Sequence, residues 1–374
     1  MGTRIKSFLK REVILCVAFV LALVSCFFEK PDIQYFSYID YRTLSILLVL
    51  MLTMAGLQRL LVFRQIGEAL VNRMHSIRGV ALVLIALCFF SSMLITNDVA
   101  LITFVPFTVI TLTLAKRKDL FIIVIVLETV AANLGSMLTP LGNPQNLYLY
   151  SLSGMGLSSF ILLMLPYSLV SLVMILFAAM LFVKKDAVEG TGISEYKRTK
   201  SDRLKIAMYV ALFLLSLAVV ARVLDFRIGL LIVVAMVLVF DRKIITKPDY
   251  SLLLTFLFLF IFIGNIKRIP ELSEALRFLV GQNEVAVSVA LSQGISNVPA
   301  AILCSGFTDR IDSLIVGTNL GGLGTLIASM ASLISFKQYS SVEGADRKKY
   351  IGVFTVINVL FLIALSVLAV FLHP

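Results

Sequence analysis

Apolar residues fill this chain in long blocks, and polar residues are confined to short joints and to a few positions inside the blocks. About 20 mostly apolar residues are what one helix needs to cross a bilayer. The blocks predict helices over 13–28 and 44–62, then an amphipathic, interfacial joint up to Arg78. Residues 79–115 are apolar except at Ser91-Ser92 and Thr96-Asn97-Asp98, and both ends meet basic residues: Arg78 before, Lys116-Arg117-Lys118 after. A block that begins and ends on one side, with a polar tip halfway, predicts a re-entrant hairpin. Its non-helical tip must be buried in protein or face a water-filled cavity. Two ordinary helices with a short external turn are the alternative. A helix over 120–150 is interrupted at 138–146, where Pro140 and Pro144 remove amide donors and, with Gly142, break it. A helix over 157–183 follows, and then the longest polar joint, 184–205, with seven Lys/Arg. The rest predicts helices over 205–222, 228–240 and 249–266, a hairpin over 271–308 with Ser296-Asn297 at its tip, a Gly-rich broken helix over 312–336 and a last helix over 350–372.

Two phrases recur in the same order. Ile95-Thr96-Asn97-Asp98-Val99-Ala100-Leu101 reads against Ile295-Ser296-Asn297-Val298-Pro299-Ala300-Ala301, and Asn133-Leu134-Gly135-Ser136 against Asn319-Leu320-Gly321-Gly322. A hydroxyl-Asn step and an Asn-Leu-Gly step, each present twice, predict a duplicated polar site inside a membrane, the outline of a secondary transporter. The expected organisation is a first unit over 1–183, a cytoplasmic loop and connecting helix over 184–227, and a second unit over 228–374. Threaded from a cytoplasmic N-terminus, inside segments hold 25 Lys/Arg and outside ones 8, which together make all 33. The units then enter from opposite sides, as an inverted repeat. The fold class expected is an all-α polytopic membrane protein with two re-entrant hairpins and two broken transmembrane helices.

Composition agrees. Hydrophobic residues make up 59%, charged residues 15%, and mean hydropathy is +1.00, more apolar surface than one soluble core could hide. The net charge of +11 sits in the joints, which argues against nucleic-acid binding and suits an anionic cytoplasmic leaflet. Cys16, Cys26, Cys88 and Cys304 have no paired spacing and read as buried side chains, and His75 and His373 are too remote from one another to form a metal or catalytic cluster. No cofactor and no enzyme chemistry are expected. Leu23-Val24-Ser25-Cys26 resembles a lipoprotein cleavage site. Removing the first helix would destroy the match between units, so a retained helix is expected.

Freed carbonyls and amides at membrane depth are costly unless they coordinate something. Half-helix N-termini favour anions, while carbonyls and Asn oxygens favour Na⁺. Small residues (Gly135 and Ser136; Gly321, Gly322 and Gly324) let backbones approach. The constellation suits an anion held between two tips with a cation nearby.

Thr96-Asn97-Asp98, Thr139-Pro140-Leu141-Gly142-Asn143-Pro144-Gln145-Asn146, Ser296-Asn297-Val298 and Asn319-Leu320-Gly321-Gly322 resemble motifs of the ion transporter superfamily. That superfamily includes divalent anion/Na⁺ symporters, citrate carriers, arsenite permeases and one class of Na⁺/H⁺ antiporters. The resemblance implies that substrate is bound by Thr96, Asn97, Thr139 and Pro140 in one unit and by Ser296, Asn297 and Pro299 in the other. It implies cation sites at Asn97, Asp98, Gly142 and Asn143, and at Asn297, Gly321, Gly322 and Thr325. It further implies a homodimer in the cytoplasmic (inner) membrane and an elevator motion. Asp98 and Val298 stand where the symporters carry a third hydroxyl at the tip, and the second broken helix lacks a counterpart of Thr139-Pro140.

An ionisable group at membrane depth is functional by default, so Asp98 is expected to hold a cation or proton, with a helix N-cap as the alternative. Glu128, mid-helix with no basic neighbour in sequence, is expected to couple, to pack, or to line a cavity. Asn133 and Asn319 are candidate interhelical glue. Glu284 and Gln282 are expected at the surface. The reading is a transporter of a di- or tricarboxylate or inorganic oxyanion, coupled to Na⁺ or H⁺. An arsenite-like efflux permease or Na⁺/H⁺ antiporter is the first rival, and an intramembrane enzyme or channel the second. Ser296 has no predicted His or Lys partner, which argues against the enzyme.

Overall fold

The computed structural model describes residues 12–187 and 199–372. The basic start of the chain, Lys197 and Arg198 of the long polar joint, and His373 lie outside the described residues. The first part of the chain forms α1 (Val13–Phe28), α2 (Tyr35–Tyr38), α3 (Tyr41–Arg59), α4 (Val62–Val71), α5 (Ile77–Ile95), α6 (Asn97–Leu114), α7 (Phe121–Ser136), α8 (Pro144–Ser153) and α9 (Leu157–Phe182). A connector, α10 (Lys200–Val220), leads to α11 (Phe226–Asp241), α12 (Tyr250–Lys267), α13 (Pro270–Gln282), α14 (Glu284–Ile295), α15 (Asn297–Ser305), α16 (Ile311–Leu320), α17 (Met330–Ser340) and α18 (Arg347–Leu372). Among the described residues, eight helices are long and apolar enough to cross a membrane. The protein is an all-helical polytopic membrane protein. Its outward faces carry apolar side chains, as a lipid-facing surface must: Val20 of α1 is 53% exposed and Val173 of α9 is 68% exposed.

Helix starts are written locally. Asp40 caps α3 by accepting from Thr43 N at 2.9 Å, Ser76 caps α5, Asn143 caps α8 and Asn283 caps α14. Thr199 and Asp202 form a reciprocal capping box at α10. The cap at Asn283 also divides the arm before the second tip into two helices, α13 and α14, because Asn283 leaves helical geometry and restarts the chain.

Two groups of helices emerge. In the first, α1 packs along α12, and α3 packs against α10 and α11. Asn265 pins α12 to α1 and α2, donating to Ser25 Oγ at 3.0 Å and to Tyr35 OH at 2.8 Å. Asp241, nearly buried, joins three helices: Arg59 at 2.8 Å, Tyr209 OH at 3.3 Å and Lys205 at 3.9 Å. In the second group, α5, α6 and α7 pack on one another and on α9, α17 and α18, while α8 packs on α15 and α16. The densest seam is α5 on α7, where a Cβ at Gly135 would strike the Phe89 carbonyl oxygen and lie 2.7 Å from Ser92 Oγ.

That approach yields a stability prediction. Gly135→Leu overpacks backbone against backbone and should destabilise by about 1–3 kcal/mol or more, read as a fall in melting temperature and in monodisperse yield. Gly352→Leu on α18, with nothing within 4 Å of its added Cβ, should leave both unchanged.

Candidate functional site

Both tips break their helices at a residue with positive φ that is not glycine. Thr96 lies at φ 69°, ψ 147°, and Ser296, two hundred positions later, at φ 74°, ψ 152°. Such a conformation costs on the order of 1–3 kcal/mol for a side chain with a Cβ, and it persists only where surrounding contacts impose it. The contacts are matched too. Asn97 N donates to Gly142 O at 3.0 Å, and Asn297 N donates to Ala328 O at 2.9 Å. Each tip therefore hangs from the interruption of its neighbouring broken helix: residues 137–143 between α7 and α8, residues 321–329 between α16 and α17.

Asparagines join the first half of the chain to the second. Asn97 Nδ2 donates to Asn133 Oδ1 at 3.0 Å, and Asn133 also pairs with Ser329 and Ser332, nearly two hundred positions later, at 3.0 and 3.2 Å. Reciprocally, Asn319 donates to Asn146 Oδ1 at 2.6 Å and accepts from Asn143 Nδ2 at 3.2 Å. Asn133 and Asn319 thus act as interhelical glue.

The remaining site residues separate by surroundings. Thr96, Asp98 and Asn143 line one cavity of about 190 Å³, with Lys247 and Asp249 at its margin. Ser296 and Pro299 line a second of about 340 Å³, with Glu12 and Lys337. Leu252, Met330 and Ile334 border both. Among the described residues, the half-buried Asp98 carboxylate accepts no hydrogen bond, although its own amide donates to Asn97 Oδ1 at 3.0 Å. Thr139 donates to Met93 O, and neither it nor Pro140 lines these two cavities. Gly142 receives the Asn97 amide, and Asn143 Oδ1 caps α8 by accepting from Asn146 N at 3.0 Å. Gly321 and Gly322 lie close to the second tip: a Cβ on Gly322 would stand 3.0 Å from Asn297 Nδ2. Thr325 is exposed and bonds Gln293 through its amide at 2.9 Å and its hydroxyl at 3.0 Å.

Gln293 escaped the sequence reading. Its amide group donates to Gly321 O at 3.1 Å and Leu323 O at 3.0 Å, supplying partners for two carbonyls of the second interruption. Its signal was faint: one carboxamide a turn before the tip. Glu284 is a correction. Rather than lying on the surface it is 4% exposed, accepting from Thr308 Oγ1 at 3.0 Å and facing Arg310 at 3.4 Å, because the restart at Asn283 turns it inward; Gln282 is exposed as expected. Glu128 is fully buried; one oxygen accepts from Thr108 Oγ1 and the other has no partner. Among the described residues, no group of three His, Cys, Asp or Glu could hold a metal ion.

Comparison with known proteins decides the family. A citrate transporter family profile matches residues 5–308, reaching from the N-terminal region past the second tip. The chain belongs to the citrate transporter family. Within the ion transporter superfamily to which that family belongs, the chain is 37% identical over 265 residues to an uncharacterized transporter of Methanocaldococcus jannaschii, covering 70% of this chain and 71% of that one. It is 31% identical over 309 residues to the inner membrane protein YbiR of Escherichia coli, covering 80% of each. The protein is thus a multi-span membrane transporter.

The asparagine exchange makes a specific prediction. Asn319→Ala leaves Asn143 and Asn146 short of partners in a buried setting and should destabilise by about 1–3 kcal/mol. Gln293→Leu, at a more exposed position, should cost less. Thermal denaturation of the purified proteins ranks them, and the reverse order would contradict the interlock.

Proposed function

We propose that this member of the citrate transporter family is a secondary active transporter of a small anion, coupled to Na⁺ or H⁺. The observation that carries the reading is the pair of strained tips, each hooked to a broken helix and each opening into one of two adjoining cavities. The anion, a di- or tricarboxylate or an inorganic oxyanion, is bound by the tip hydroxyls and carboxamides of Thr96, Asn97, Ser296 and Asn297. The backbone amides at the starts of α6 and α15 add partial positive charge. Cation ligands come from tip and interruption: Asn97, Asp98, Gly142 and Asn143 in one unit, Asn297, Gly321, Gly322 and Thr325 in the other. These groups are largely hydrogen-bonded to one another here, so ion binding exchanges internal bonds for coordination. Each tip is a re-entrant hairpin, the two units are inverted relative to one another, and the N-terminus is cytoplasmic. The tip-bearing group slides as an elevator against the group built on α1, α3 and α10 to α12, which forms the homodimer. On that orientation both cavities, with Lys247 and Lys337 at their margins, open to the cytoplasm.

A second reading, efflux of an arsenite-like oxyanion or Na⁺/H⁺ antiport, draws on Asp98. Its carboxylate shares a cavity with Asp249 and stands where the second tip has Val298. A single fixed negative charge at one tip suits a cation or proton better than a second carboxylate.

Reconstitution in liposomes with citrate, succinate, sulfate, phosphate and arsenite, each with and without a Na⁺ or pH gradient, tests both. Asn97→Ala and Asn297→Ala should each abolish gradient-driven uptake while the protein still inserts and stays monodisperse. Wild-type uptake in both would sink the tip site. Asp98→Asn should change which gradient drives uptake, and an unaltered dependence would reduce Asp98 to a helix-start residue.

A further inference from the structure

Glu128 sits apart from both cavities, in the middle of α7 and completely enclosed. Thr108 of α6 bonds one carboxyl oxygen, and the other has no partner. Among the described residues it forms no ion pair. Its ionisable neighbours are Cys88 of α5 and Tyr350 of α18, both fully buried. The facing part of α17 offers hydroxyls: Ser335 pairs with Thr129 at 2.5 Å and with Tyr350 OH at 3.1 Å. Lys337 and the basic start of α18 lie at the exposed ends of those helices, and Asp98 is at the far end of α6.

An ionised carboxylate in such a place, with one hydroxyl and no cation, would cost several kcal/mol. The same group as a carboxylic acid needs little more than it has. We infer that Glu128 is a proton-binding site distinct from the tips, loaded in the conformation seen here and emptied when the bundle around it loosens. The step is a simple ionisation: the carboxyl O–H breaks, the proton goes to water admitted by the loosening, and the carboxylate stays behind, hydrated.

The site is mechanically joined to the first tip. Asn97 opens α6, and Thr108 lies eleven residues on, roughly 16 Å along that helix. On α7, Glu128 and Thr129 stand just over a turn from Asn133, which holds Asn97 and the start of α17. A change of protonation at Glu128 alters the α6–α7 contact, and that contact ends at the tip. This coupling role rests on the anion-transport reading, whereas the proton site itself does not.

Two measurements on the full chain separate the claims. Above the ordinary carboxyl range, near pH 4.3, the unfolded chain has lost a proton that the folded protein keeps, so folded protein binds more protons and stability falls as pH rises. The melting temperature of wild type should therefore fall relative to Glu128→Gln between pH 6 and 9. Parallel curves for wild type and Glu128→Gln would overturn the proton site. In liposomes, wild-type citrate uptake should decline by up to about tenfold per pH unit once the proton becomes scarce, and Glu128→Gln should lose that dependence and its response to a pH gradient. A Glu128→Gln profile identical to wild type would overturn the coupling role. Absence of uptake of every anion in every protein would instead count against anion transport, and the melting curves would still decide the proton site.

Discussion

The amide of Asn97 has left its own helix and rests on the carbonyl of Gly142, and the amide of Asn297 rests on that of Ala328. Inside hydrocarbon a released backbone group has no water to turn to, and leaving it unpaired costs several kcal/mol. The rest of the tip region is arranged around that demand. Thr96 and Ser296 take up positive φ so that the following amide points at the interruption. The interruptions then need partners for their own exposed carbonyls and side chains, and Asn143, Asn146 and Gln293 supply them. Asn133 and Asn319 extend the same logic between the two halves of the chain, each bonding residues of the other half.

Much of this could be read before any coordinates. Two hydroxyl-Asn steps and two Asn-Leu-Gly steps stand out because polar residues in long apolar blocks have few reasons to be there, and prolines announce the first interruption. The second is harder to read: glycines mark a break without saying which groups will satisfy it, so Gln293 and the serines of α17 went unnoticed. Glu284 was misjudged for a related reason. An acid beside a polar joint looks solvated until a cap such as Asn283 redirects the helix that follows. Which oxygens and amides face a cavity, and which are spent on one another, depends on contacts between residues nearly two hundred positions apart, and no local pattern encodes those.

The two tips are alike in backbone and unlike in charge. With Asp98 on one side and Val298 on the other, the first tip carries a carboxylate and the second does not. Near-symmetric scaffolds of this kind can hold two different ions, because geometry is duplicated while chemistry is free to diverge. One lysine lines each chamber, Lys247 the first and Lys337 the second, so the two differ in their acids: Asp98 and Asp249 in the first, Glu12 in the second.

The asparagine exchange also bears on how the chain is made. Asn143 finds its partner Asn319 only 176 positions later. At a synthesis rate of about 5–20 residues per second, the first half of the chain waits roughly 10 to 35 s before its bonds to Asn319 can form. During that interval it must be tolerated by lipid, by water at the broken helices, or by the insertion machinery. Biogenesis of this protein thus includes a period of enforced incompleteness that ends when the second half of the chain threads into place.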